Sequence, residues 1–458
     1  MDTAETLRLL GGYESRNVTF VDPDGSWPLV WERARGAHVW DAEGRKYLDL
    51  TAAFGVAAAG HANPRVVRAG QQQMAKLLHA MGDVHPHALK AQLARQLSRI
   101  TFERWAAAAN ASEPQTPVPH LASSLAPATG KTIFANSGFE AVEAALKTAL
   151  LATGKRGVIA FEDAYHGLGY GALNATHRPH FRRPFQSQLG QFGRFAPFPT
   201  CDQLSQRRAL KQLESDLRRI LRREQIGAIL VEPVQVRGGI HIPPPEFLPL
   251  LRALCHEYQV VLVLDEIYTG FGRTGTWFAC EHSRTIPDLI CLGKALTGGF
   301  PLSACVGRAE LMDAAWPAST GEAIHTSTFL GHPVGCAMAL AQIAEIERRG
   351  LPSRAAALGQ FLLEQLRLLA AECSNSKLRA QARGLGLLAG LELKLPGGKP
   401  ATAAAIAAIK ALLQKGYILL PEGAHASVIS FTPPLIISEP QLARAVGALS
   451  EVLALIRR

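Results

Sequence analysis

An unbroken apolar run ends on two adjacent carboxylates in the stretch VVLVLDEIYTG, Val260 to Gly270, where Asp265 and Glu266 follow five apolar residues. Such a run reads as a strand buried on both faces, as in the parallel sheets of α/β domains. An acid at its carboxyl end lies where open α/β sheets bind ligands, and burying it without a positive partner is costly. Asp265 could equally cap the following turn or pair with a structural arginine. A second acid, Glu232, directly follows the apolar stretch AILV, and Lys294 follows LICL with one glycine between. Glu232, Asp265 and Lys294 are therefore expected to converge from three strand ends. The set suits an ordinary buried ion pair, or an amine whose pKa is lowered by burial until it can form a Schiff base.

Phosphate chemistry enters with FANSGFEAVEAALK, Phe134 to Lys147, which reads as strand, tight turn and helix, with Ser137 and Glu140 at capping-box spacing. In isolation this is a capped helix. After a buried strand it also turns free N–H groups and a positive helix end toward the ligand edge. Thr326, Ser327 and Thr328 offer clustered hydroxyls, and Tyr165 and His166 follow the strand GVIAF with rings for packing or for stacking on a flat ligand. A phosphate, a flat ring with a protonatable nitrogen and an electrophilic carbonyl would occupy all of these groups, and pyridoxal 5′-phosphate (PLP) has all three. On that reading Asp265 keeps the ring nitrogen protonated, while Lys294 holds the aldehyde and then shuttles a proton.

The elements that must position these residues are legible as alternation. From about residue 60, helices alternate with the short apolar strands TIFA, GVIAF, AILV, VVLVL, LICL and SACVG, which predicts a mostly parallel central sheet with helices on both faces. Residues 29–50 alternate apolar and polar around the turn Asp41–Gly44 and predict an antiparallel ribbon. After about residue 340 come a long helix, GLGLLAGLELK, another helix, YILL, SVISF and a final helix capped by Ser438 and Gln441. The expected division is 1–60 as the N-terminal segment of a small α+β domain, 61–338 as the large α/β domain and 339–458 as the C-terminal small domain. Residues 106–130, rich in Ala, Ser, Thr and Pro, are expected to form a mobile loop.

With 458 residues, 48% apolar and 19% charged, the composition is that of a globular protein. The net charge of +10 is an excess without basic clusters interleaved with aromatics, and the densest run, LRRILRR (217–223), has the apolar spacing of a solvated helix face, so no nucleic-acid partner is expected. No stretch approaches the ~20 apolar residues that span a bilayer, and no leader is evident, so a cytoplasmic location without membrane partners is expected. The seven cysteines lack CxxC spacing and the histidines lack H-x-x-x-H, so neither disulfides nor a metal site is expected.

In their order and spacing, the segments YLDLTAAFGVAAAGHANPRV, FANSGFEAVEAALK, AYHG, EPVQVRGG, LDEIYTGFGRTGTWFACEH, CLGKALTGGFPLSA, HTSTFLGHPVGCA and TPPLIIS resemble the class III PLP-dependent aminotransferases of fold type I. That family includes ornithine, 4-aminobutyrate and ω-amino acid or amine transaminases. The resemblance implies that Lys294 is the Schiff-base lysine and Asp265 the partner of the pyridine nitrogen. It gives phosphate contacts to Ser137, Gly138 and Thr328, the last reaching in from a neighbouring subunit of a homodimer. Tyr165 would stack on the ring beside His166, and Glu232 would be the acid that gates a substrate-binding arginine. The activity implied is transfer of an amino group from an ω-amino acid, diamine or amine to a keto acid in two half-reactions. A decarboxylase, epimerase or aminomutase on the same framework is the alternative.

One position departs from the family. Pairing Pro433 and Pro434 with the family's prolines puts Ser430 where an arginine usually grips a carboxylate in bidentate fashion. Another arginine such as Arg237 could take that role, or the substrate could be an amine or distal amino group, or the partner substrate could be unusual. Phe54, Tyr268, Arg237 and Ser430 are the expected substrate-pocket residues, with Phe139 also lining the pocket.

Overall fold

The computed structural model describes residues 1–22, 25–111, 129–200, 206–373 and 377–456. The chain forms two compact units, one of Arg65–Phe271 with Thr276–Glu345, the other of Met1–Pro64, Gly272–Gly275 and Ile346–Arg458.

The first unit is built on a seven-stranded sheet in the order Gly130–Ala135, Ser303–Arg308, Leu289–Leu292, Val261–Asp265, Ile226–Val231, Gly157–Phe161 and Gly193–Ala196. Ser303–Arg308 runs antiparallel to both its neighbours, and the other strands share one direction. Every residue of Ile226–Val231, Val261–Asp265 and Leu289–Leu292 is buried, as their continuous apolar runs require. The helix Gly138–Thr153 lays Ala141, Ala144, Ala145 and Ala149 into the core beside Val158, Leu230 and Val263. Those small side chains let the helix lie close over the strands.

Two features of this unit escaped the sequence pattern. Gly193–Ala196 is an edge strand of four residues whose exposed Arg194 pairs with Glu224 at 2.5 Å, and charge on an edge discourages pairing with other chains. The expected loop 106–130 begins instead as the helix Arg104–Ala111 and ends in the strand at Gly130; residues 112–128 lie outside the described residues. The alanine run is helical because Trp105 anchors it. Its ring packs edge-on against Phe102 (5.2 Å) and Phe278 (5.8 Å), and its Nε1 donates to Glu281 (3.1 Å).

In the second unit, Trp31–Arg35, His38–Asp41 and Lys46–Asp49 form the expected antiparallel ribbon, and Tyr417–Ile418 joins it in parallel. The two ends of the chain thus share one sheet. A second, antiparallel sheet follows the order Arg379–Leu385, Leu388–Lys394, Val428–Phe431, Leu420–Glu422. Gly386 turns its hairpin at φ 57°, and a Cβ there would lie 2.4 Å from the Thr274 carbonyl carbon. Arg273, on the same short segment, is buried and donates to the carbonyls of Leu387 (2.9 Å) and Pro433 (2.6 Å). Ser438 donates through N and Oγ to Gln441 at the start of the final helix, Glu439–Ile456. The helix Thr3–Tyr13, capped by Asp2, was not legible from the sequence pattern, since it buries no residue.

Candidate active site

Five strands of the large sheet end at one edge: Gly130–Ala135, Gly157–Phe161, Ile226–Val231, Val261–Asp265 and Leu289–Leu292. Each is followed within a few residues by a group singled out above. A cavity of about 400 Å³ opens there, lined among others by Gly138, Tyr165, His166, Glu232, Asp265 and Lys294. Arg237, Tyr268 and Phe139 complete much of its wall, with Gly167, Leu168, Val234, Ile267 and Thr269 between them. These last five carried no chemical signal in the sequence.

Asp265 is 5% exposed and has a partner inside the protein. Its Oδ2 lies 2.8 Å from His166 Nδ1, and its Oδ1 accepts from the Ile267 N–H at 3.1 Å. The positive or polar partner that the strand demanded is thus supplied in part by His166, a pairing for which adjacency to Tyr165 was the only sequence clue. His166 Nε2 is buried, has no hydrogen-bond partner among the described residues, and belongs to a side chain on the cavity wall. A buried polar atom of this kind calls for a ligand or water. Glu266 points elsewhere, as strand alternation requires. It accepts from Thr269 Oγ1 and from the N–H groups of Ala279 (2.9 Å) and Cys280 (2.8 Å).

Glu232 Oε1 accepts from the Tyr165 N–H at 2.9 Å and thereby ties two strand ends together. Burial pushes its carboxyl up to about 7; the charge of Asp265 adds to this and His166 opposes it. Lys294 opens a short 3₁₀ turn with φ 38°, a left-handed conformation unfavourable for a side chain of its size. Its Nζ stands 4.6 Å from the centre of the Tyr268 ring, within cation–π range.

At the other side of the cavity, Ser137 caps the helix Gly138–Thr153, and its N and Oγ both donate to Glu140 (2.7 and 3.0 Å). The first N–H groups of the helix have no partner within it and point out of its N-terminus. A Cβ at Gly138 would come within 3.0 Å of Ile267 Cδ1, so glycine keeps this corner open. The free N–H groups would hold a phosphate, the Asp265–His166 pair would hold a protonated ring nitrogen, and Lys294 would hold an aldehyde. The residues present therefore suit PLP.

Not every expected residue joins the cavity. Thr328 is exposed on the segment before the helix Pro333–Arg348 and is absent from the cavity wall. Phe54 and Ser430 belong to the second unit: Phe54 is exposed with φ 61°, and Ser430 is buried in the strand Val428–Phe431.

Residues 20–453 match the family described as Aminotransferase class-III. The chain is 35% identical over 434 residues to the 5-aminovalerate aminotransferase DavT of Pseudomonas aeruginosa, with 93% of each covered. It is 36% identical over 440 residues to the putrescine aminotransferase of Pectobacterium atrosepticum, covering 94% of this chain and 84% of that one. In structure it is similar to a thermostable (S)-enantioselective ω-transaminase from Thermomicrobium roseum (TM-score 0.86, 26% identity, 100% of each covered). It is also similar to a PLP-bound amine transaminase from an uncultivated Pseudomonas species (TM-score 0.82, 25% identity, 96% and 98% covered). The strands, the cavity and these relatives agree: the chain belongs to the class-III aminotransferases, and is a PLP-dependent transaminase on the fold-type-I framework.

Proposed function

We propose that this transaminase takes the amino group of an ω-amino acid, a diamine or an amine and delivers it to a keto acid, working as a homodimer in the cytoplasm. The observation that carries the reading is the convergence of Gly138, Tyr165, Glu232, Asp265 and Lys294 in one cavity from five strand ends. When bound, PLP supplies an aldehyde for the amine and a pyridine ring that takes up the electron pair released at the substrate carbon. Lys294 Nζ would hold that aldehyde, and the same amine is the group placed to move the proton. Asp265, braced by His166 and the Ile267 N–H, holds a proton at the ring nitrogen. The N-terminus of Gly138–Thr153 binds the phosphate, and Tyr165 covers the ring.

Relatives named for 5-aminovalerate and putrescine support donors with a terminal amine. The dimer is supported by an apolar face on the large unit. Leu78, Met81, Val84, Ile324 and Phe329 are each more than half exposed, Thr326 Oγ1 donates to Asp83 at 2.6 Å, and His79 packs edge-on against Phe329 at 5.2 Å. A second copy covering this face would also take up Thr328, whose hydroxyl would then serve the partner's phosphate. Free, buried thiols at six described cysteines suit a reducing compartment.

The test is a donor screen. ω-Amino acids, diamines and arylalkylamines are mixed with the PLP-loaded enzyme, and loss of the visible cofactor band is followed; pyruvate or 2-oxoglutarate should then restore it. Release of CO₂ or racemisation without any keto acid would instead support a decarboxylase or epimerase.

A further inference from the structure

Arg237 is held on the cavity wall by the turn that follows Glu232. Gln235 and His241 exchange backbone hydrogen bonds (3.1 and 2.8 Å), and the N–H groups of Gly239 and Ile240 return to the Val236 carbonyl (3.0 and 3.1 Å). Glu232 Oε2 accepts from the Val236 N–H at 3.4 Å, so the turn is also tied to the acid at its base. A guanidinium carried on a closed turn loses little freedom when it binds. Its Cζ stands 5.7 Å from the centre of the Tyr165 ring.

The charged groups on this wall divide by task. Asp265 is engaged by His166, Lys294 is the reacting amine, and Glu232 supports Tyr165. Arg237 is the lining cation that amine chemistry does not use. Burial raises the Tyr165 phenol; Arg237 and Arg178 oppose that and Glu232 adds to it, so Arg237 acts on the group it stands beside. A guanidinium on the wall attracts a carboxylate and repels an ammonium. The planar fork also matches a carboxylate in bidentate geometry, which lysine does not.

We infer that Arg237 grips the carboxylate of the keto-acid substrate on the Tyr165 side of the cavity, making it the specificity-determining residue for acidic acceptors. The inference rests on the aminotransferase reading of the same cavity. It differs from a packing role for Arg237 against Tyr165, in which charge and fork geometry would be immaterial.

The experiment compares PLP-loaded wild type, Arg237→Lys and Arg237→Gln in two ways. The first is kcat/KM for the keto acid, pyruvate or 2-oxoglutarate, that wild type uses. The second is the affinity for glutarate, an unreactive dicarboxylate, read from its perturbation of the cofactor absorbance without turnover. Arg237→Gln should weaken glutarate binding about 30-fold or more, and should raise KM for the keto acid more than it lowers kcat, with Arg237→Lys intermediate. Glutarate affinity within about threefold of wild type in Arg237→Gln would overturn the inference while leaving the transaminase reading intact. Arg237→Lys equal to wild type in both measurements would likewise overturn it. A wild type that aminates neither keto acid would overturn the proposed acceptor class, and the assignment of Arg237 with it.

Discussion

Single residues of this enzyme divide into those lining the cavity and those that only brace the strand. Asp265 and Glu266 are neighbours in sequence with opposite tasks, and their partners separate them. Glu266 is buried and its carboxyl is pushed up to about 7 from a reference value of 4.5, by burial first, against three hydrogen bonds. Between those values the folded protein keeps a proton that the unfolded chain releases, so this group makes stability fall as pH rises from 4.5 to about 7. The effect is on the order of 3 kcal/mol if the shift is fully expressed. Thermal unfolding across that window should therefore show a shallower pH slope in Glu266→Gln than in wild type; identical slopes would refute this account of Glu266. On the cavity side, Asp265→Asn should keep the fold but lower turnover by roughly 10²–10³-fold, the range for loss of one preorganised electrostatic partner. That Asp265 and Lys294 would reach one cavity was legible from their place after apolar runs. The His166–Asp265 pair was not, because a histidine's partner on another strand has no signature in local sequence.

Elements show why so much of the large unit could be read and where reading failed. Val261–Asp265 and Ile226–Val231 announce themselves because strands buried on both faces must be apolar throughout. Gly193–Ala196 and Thr3–Tyr13 do not, since an edge strand and a helix without buried residues answer to no strict pattern. The helix Arg104–Ala111 was misread because Trp105 is anchored by Phe278 and Glu281, far away in sequence, as well as by nearby Phe102. The helix Gly138–Thr153 is the element most exposed to test. Ser137→Ala removes its cap and should cost about 1 kcal/mol in unfolding experiments. Gly138→Val adds bulk where even a Cβ would meet Ile267 at 3.0 Å. It should lower PLP affinity, measured by release on dialysis, more than it lowers the melting temperature of the cofactor-free protein. A larger effect on melting than on PLP retention would argue that Gly138 serves packing alone.

For the whole molecule, two chain ends woven into one sheet and a large unit carrying the cavity follow from strand pairing. The proposed dimer was implied in the sequence only by family resemblance, because an exposed apolar face such as that of Leu78, Met81 and Phe329 uses the same residues as an apolar core. The double substitution Leu78→Asp and Met81→Asp should halve the molar mass seen by light scattering, and a monomeric wild type would contradict the dimer. Mixing Lys294→Ala subunits with Thr328→Ala subunits should restore PLP retention in the mixed dimers, since one site in each then holds both groups. Absence of restoration would argue that Thr328 does not cross to a partner.

Whether Lys294 carries the cofactor and the reaction is decided by borohydride reduction of the PLP-loaded enzyme. The yellow protein should, on reduction, keep the cofactor mass on the peptide containing Lys294, and Lys294→Ala should show neither the adduct nor turnover. Fixation on a different lysine, or a Lys294→Ala enzyme that still transfers amino groups, would contradict that role.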